Sequence, residues 1–186
     1  MVSQTPKTQV SGTLVAALIE SLPEAFRAAP LHMLAAHGIR PPFENQWYDT
    51  ESLWSVMNLF AKTYGPGTVF NIGKRIPAAL PLPAHVVECS TMNEVPEAVD
   101  KIFHLFHRRE DKMLYDPARQ EFEEGLGRIR HRKTGPHSIE LVAPHLYPPD
   151  LTRGIIVRLA RKFDPLVEVH YEEKDGEIVF TVVWEE

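Results

Sequence analysis

The chain has 186 residues, the length of one ordinary domain or of a domain with a small extension. Hydrophobic residues make up 44% and charged residues 24% of it, which excludes a disordered chain and allows a core that needs no disulfide or metal staple. A net charge of -5 and a single cysteine, Cys89, exclude a broadly basic nucleic-acid binder, an internal disulfide and a four-cysteine metal site.

Residues 1–10 read as a flexible N-terminus, followed by one α+β domain over 11–186 with a helical part, 11–110, and a sheet part, 125–186. The apolar run Leu14 to Ile19 is far shorter than the roughly 20 residues of a membrane span, and the leader lacks a secretory pattern. The expectation is a cytoplasmic protein without a membrane span. Helices are predicted over 11–22, ended by Pro23, and over 24–37, capped by Gly38. Pro41-Pro42 imposes an extended connection. Asp49 or Thr50 then caps a helix whose stripe is Leu53, Trp54, Met57, Phe60, Ala61 and Tyr64.

Gly65-Pro66-Gly67 breaks that helix, a shorter one covers 68–75, and the proline-containing stretch 77–92 reads as a connection. A further helix over 94–109 has the stripe Val95, Val99, Ile102, Phe103 and Phe106. Residues 110–126 are charged and read as a mobile loop. Strands follow at 127–133 and 138–143, then a helix capped by Asp150, with Arg153 folding back onto that carboxylate. A final hairpin turns at Lys174-Asp175-Gly176, between alternations ending at Tyr171 and Trp184. The sum is α+β: helices packed on one face of an antiparallel sheet of about four strands.

The phosphate-cradling glycine motifs, the nucleophile elbow and the His-Glu-x-x-His zinc motif are all missing from the sequence, and Cys89 has no electropositive neighbours that would favour a thiolate. No enzyme is expected, and no metal site. Of nine histidines, His104 and His107 stand three apart on the helix over 94–109. At 100° per residue His104 faces solvent and His107 the edge of the core, so boundary histidines are favoured over a metal pair. The segment Arg128-Ile129-Arg130-His131-Arg132-Lys133 puts Arg128, Arg130 and Arg132 on one strand face. They are either an anion or partner site, or cross-strand partners of Glu168, Glu172, Glu173 or Glu177. Trp47, Tyr48, Trp54, Phe60, Tyr64 and Phe70, with Phe103 and Phe106, line either an apolar ligand pocket or a plain core.

Three stretches carry a resemblance. Tyr64 to Pro77 (YGPGTVFNIGKRIP), Ile102 to Arg108 (IFHLFHR) and Leu146 to Ile156 (LYPPDLTRGII), together with the closing alternation at Trp184, resemble a family of small bacterial proteins. That family is related to the haem–nitric-oxide-binding sensors and the 4-vinyl reductase-type domains, within a superfamily that also includes vesicle-tethering subunits. The resemblance covers roughly residues 45–186. It implies a helical subdomain on a four-stranded sheet and a homodimeric module in bacterial signalling, working through a partner protein.

There are departures. Pro149 stands where relatives carry a cysteine, Glu172 to Gly176 replaces a cysteine-rich segment, and the haem sensors' Tyr-x-Ser-x-Arg signature has its nearest match in Tyr115-Asp116-Pro117-Ala118-Arg119. The leading expectation is therefore a non-enzymatic sensor of a small apolar or amphipathic ligand, without a cofactor. Trp54, Phe60, Phe103 and Phe106 would form the walls, His107 and Arg108 the polar rim, and Arg128, Arg130 and Arg132 a partner-binding surface. The alternatives are a haem-binding gas sensor with His104 or His107 as axial ligand, and a ligand-free dimeric scaffold.

Overall fold

A computed structural model describes residues 7–185. Chain order gives β1 (Thr8–Ser11), α1 (Gly12–Glu20), a 3₁₀ turn at Glu24–Phe26, α2 (Ala28–Ala36), β2 (Trp47–Asp49), α3 (Thr50–Tyr64) and α4 (Pro66–Ala79). After these come α5 (Ala84–Val87), α6 (Val95–Leu105), β3 (His107–Arg109), β4 (Lys112–Met113), β5 (Tyr115–Asp116) and β6 (Glu121–Phe122). The last third is β7 (Arg130–Gly135), β8 (Ser138–Pro144), α7 (Pro149–Ala160), β9 (Glu168–Lys174) and β10 (Glu177–Val183). The α+β class holds.

The main sheet is antiparallel in the order β7-β8-β10-β9. Alternate residues of its two central strands are buried, and register places Ile139 opposite Val182, Leu141 opposite Phe180 and Ala143 opposite Ile178. This is the period-two pattern of a sheet with one face on the core. Asp175 and Gly176 close the β9–β10 hairpin with φ of 53° and 79°, the left-handed pair that the twist of a two-residue hairpin requires.

A second sheet, ordered β2-β1-β3-β4, corrects the sequence reading twice. Residues 8–10, assigned to a flexible terminus, are a strand paired on both sides, with Val10 opposite Tyr48 and His107; residues 1–6 lie outside the described residues. The helix over 94–109 also ends early, at Leu105, so that His107 and Arg108 belong to β3. The segment 110–126, read as a loop, contains β4, β5 and β6.

Two helix boundaries differ as well. α4 runs through Pro77, which lies in its last turn, where the ring leaves unpaired only one main-chain acceptor four residues back. Asp150 is not the cap of α7: Pro148 holds that position, and Asp150 sits in the first turn. Its carboxylate pairs with Arg153 at 3.0 Å, as the sequence suggested, and accepts a hydrogen bond from Tyr171 Oη at 3.1 Å.

α4 and α7 join the helical part to the sheet through two glycines. A Cβ on Gly73 would lie 2.1 Å from the Leu151 carbonyl oxygen, and one on Gly154 2.3 Å from that of Phe70. The helices therefore touch main chain to main chain, closer than any side chain permits. Val69, Ile72, Ile76, Leu151, Ile155 and Ile156 complete the buried contact around the crossing.

Candidate functional site

α6 begins at Val95 with Pro96 in its first turn, where a missing N–H costs nothing. Val95, Val99, Ile102 and Phe106 of its apolar stripe are buried and Phe103 is half-buried, but Asp100 and His104 are buried too, at 1% and 2% exposure. The expectation that His104 faces solvent is therefore wrong. It assumed one covered face, whereas the β5–β6 ribbon and the start of β7 cover a second one.

That second cover is built around Asp100. Its carboxylate accepts hydrogen bonds from the Ile129 main-chain N–H (2.9 Å) and from Arg128 Nε (2.5 Å). His104, one turn on, points Nδ1 at the Asp100 carbonyl oxygen (2.8 Å) and lies 3.2 Å from the Asp100 carboxylate. Burial pushes the Asp100 carboxyl up, yet the bonds from His104, Ile129 and Arg128 outweigh it and hold the group below the ordinary carboxylate range. Both atoms facing Nδ1 are acceptors, so in the neutral ring the proton resides there and Nε2 carries the lone pair. That Nε2 is buried and has no hydrogen-bond partner.

Phe122 stands edge-on to the His104 ring at 5.3 Å and stacks at a tilt on Tyr115, 4.7 Å between centroids. The Tyr115 hydroxyl, fully buried, is the second orphaned polar atom beside this ring. The Arg128 guanidinium lies 3.3 Å over the outer face of Phe122. His104 lines two spaces: a narrow crevice of about 10 Å³ shared with Phe103, Ile129 and Tyr147, and a wider cleft of about 400 Å³ bounded by Phe122, Glu124, Gly125 and Arg128.

His107 is placed differently. It is fully buried, beyond the core edge where the sequence placed it. Nδ1 donates to the Phe103 carbonyl, so Nε2 accepts from Tyr147 Oη at 2.7 Å. Burial drives its pKa down to about 4, against the Phe103 bond that favours the charged form, and pushes the Tyr147 phenol up. Both ring nitrogens are used, so His107 has no lone pair to offer a ligand.

The remaining candidates do not assemble into one pocket. Trp54 is 39% exposed on the outer side of α3, whereas Phe60 lines an apolar cavity among α1 to α4. Phe103 stacks on Tyr147, and Phe106 is core. Arg108 bonds Gln9 across the small sheet and covers the Trp47 ring at 4.4 Å. The basic segment is paired within the chain: Arg128 to Asp100, Arg130 to Glu177 and Arg132 to Glu140. Glu177 is one of the cross-strand partners the sequence offered; the other two carboxylates are not. Burial raises the Cys89 thiol, against an activated thiolate. Among the described residues no three metal-ligating side chains cluster, and no helix is long and apolar enough to cross a membrane.

The donor that an iron porphyrin requires is a nitrogen with a free lone pair, and His104 Nε2, buried and without a hydrogen-bond partner, offers one in the neutral ring. Its tautomer is fixed through Nδ1, as metal-binding imidazoles generally are. The crevice beside it is too small for a porphyrin, and the larger space that His104 lines is the open 400 Å³ cleft bounded by Phe122, Glu123, Glu124 and Arg128. Of the Tyr-x-Ser-x-Arg look-alike, Tyr115 is near the site through its packing on Phe122, while Arg119 is exposed and paired with Asp116.

No family model matches the sequence, and no curated protein matches it. Solved structures do. An H-NOX protein from S. oneidensis in its Fe(II)NO ligation state superposes with a TM-score of 0.62 at 12% identity, covering 95% of this chain and 99% of that one. An oxygen-binding H-NOX domain related to soluble guanylate cyclases gives 0.56 at 14% identity, covering 95% of each chain. A point mutant of the T. tengcongensis H-NOX gives 0.59 at 14%, covering 95% of this chain and 98% of that one. The chain thus has the fold of haem–nitric-oxide-binding domains along nearly its full length. The 4-vinyl reductase side of the sequence resemblance has no counterpart among these three structures.

Proposed function

We propose that this chain is a non-enzymatic sensor domain that binds haem, with His104 as the axial donor. The observation that carries the reading is the buried, tautomer-fixed imidazole whose Nε2 lone pair has no partner. The shared fold with H-NOX domains supports it. This departs from the cofactor-free expectation and favours its alternative, with His104 rather than His107 as the ligand.

Bound haem would supply an iron at which a diatomic gas can be taken up. The chain's own residues do the rest. Asp100 holds the Nδ1 proton and makes the ring more basic at Nε2. Arg128 and the Ile129 N–H hold Asp100 in place and tie it to the segment leading into β7. A shift of the imidazole is thereby passed to the edge of the main sheet. Phe122 is the side chain that must yield for a planar group to reach the ring.

Titration of the purified chain with hemin tests this. The expected result is a saturating Soret band at one equivalent, its loss in His104→Gly, and its return when imidazole is added to that variant. A wild-type chain without a Soret band, or a His104→Gly variant that binds hemin with an unchanged spectrum, overturns the reading.

A further inference from the structure

A second cavity lies among the N-terminal helices, away from His104. Its inner end is wholly apolar and leaves only about 20 Å³. Leu22, Phe60 and Ile72 are common to that end and to an outer chamber of about 380 Å³, within the range of small-molecule sites.

The outer chamber changes character toward solvent. Thr68, Asn71 and Arg75 line it from α4, at spacings that put them on one helix face. Phe26, in the 3₁₀ turn, forms the opposite lip and is 63% exposed. Arg75 donates from Nη1 to the Ser21 carbonyl at 2.9 Å, which fixes the guanidinium at the mouth beside the end of α1. It makes no ion pair among the described residues, so the rest of its donor fork is uncommitted.

We propose that this chamber binds an amphipathic monocarboxylate, its carboxylate on the Arg75 guanidinium and its apolar body against Leu22, Phe26, Phe60 and Ile72. The chemistry selects the class. A guanidinium offers paired, charge-assisted bonds that suit the planar carboxylate. An alcohol of the same length forgoes them, and an ammonium is repelled. The Asn71 side chain, one turn before Arg75 on the same face, adds an amide donor at the mouth. The site is separate from His104, so it does not depend on haem.

Isothermal titration of the full chain with sodium decanoate, below its micellar concentration, is the test. One equivalent is expected to bind, with affinity weakened at least tenfold in Arg75→Gln and by less in Arg75→Lys, which keeps the charge but not the paired bonds. Because Arg75 also bonds Ser21, the exposed change Asn71→Asp serves as a second probe; it puts a negative charge at the mouth and should weaken decanoate too. Decylammonium should not bind, and His104→Gly should bind decanoate as the wild type does. Absence of binding to the wild type overturns the proposal. So does equal decanoate affinity in Arg75→Gln and Asn71→Asp, equal binding of decylammonium, or loss of binding in His104→Gly.

Discussion

His104 and Asp100, one turn apart on α6, are locked together: the imidazole Nδ1 proton faces the Asp100 carbonyl at 2.8 Å while the Asp100 carboxylate stands 3.2 Å away. Because that carboxylate also accepts from Arg128 and the Ile129 N–H, its removal takes the acceptor from two donors at once, while His104 keeps the main-chain carbonyl. Asp100→Ala should lower unfolding stability by about 3 kcal/mol, the cost of breaking a buried charged network. Urea unfolding measures it, and a loss below about 1 kcal/mol would show that the network is not formed in solution. Since the folded Asp100 titrates below its ordinary 3.8, its contribution is complete above that pH and fades as pH falls through the lower folded value.

His107 acts in a different pH window. Its pKa falls from 6.5 to about 4 on folding, so below pH 6.5 the unfolded chain takes up a proton that the folded chain refuses. Stability should therefore drop as pH falls from 6.5 toward 4, by about 3 kcal/mol at most from this residue. His107→Gln removes the titrating group and should flatten that part of the stability profile. An identical slope in the two proteins would count against a buried neutral imidazole.

The helix crossing offers a matched pair of substitutions. Gly154→Ala drives a methyl into the Phe70 carbonyl and should destabilise by about 3 kcal/mol or leave the chain unfolded, as forced overpacking does. Gly67→Ala, at the start of α4 with open space around its Cα, should be neutral or stabilising by up to about 1 kcal/mol. Melting midpoints decide it; comparable losses in the two variants would mean that the helices do not meet at Gly154.

The arginines of β7 make ion pairs that lie largely in water, with Arg130 and Arg132 side chains 65% and 74% exposed. Arg132→Ala should cost less than about 1 kcal/mol, and less still in high salt. A larger loss, measured by the same unfolding curve, would give Arg132 a structural weight that its exposure does not suggest.

Much of the fold is legible in local pattern. The α3 stripe, the Asp175-Gly176 turn and the alternation of β8 and β10 each state their structure within a few residues. What escaped depends on partners distant in sequence. His104 looked exposed because its cover comes from Phe122 and Ile129, which no periodicity on α6 reveals. Trp54 belongs to the stripe that the sequence predicts for α3, and only packing shows it to be turned outward. His107 and Arg108 continued a helical pattern, yet pairing with Gln9 and Val10 near the N-terminus makes them a strand. The one local hint of the His104 site was the pair Asp100 and His104, acid and imidazole four residues apart on a helix, which the sequence reading did not pick out.

The contact of Gly73 with Gly154 also sets how close α4 and α7 lie. Two helices whose main chains touch can rotate about the point of contact, but they cannot move apart without losing it. The outer chamber lies on α4 and the main sheet leans on α7, so a ligand that tilts α4 by a few degrees would swing α7 with it. Two small residues thus tie the helical part to the helix that carries the main sheet.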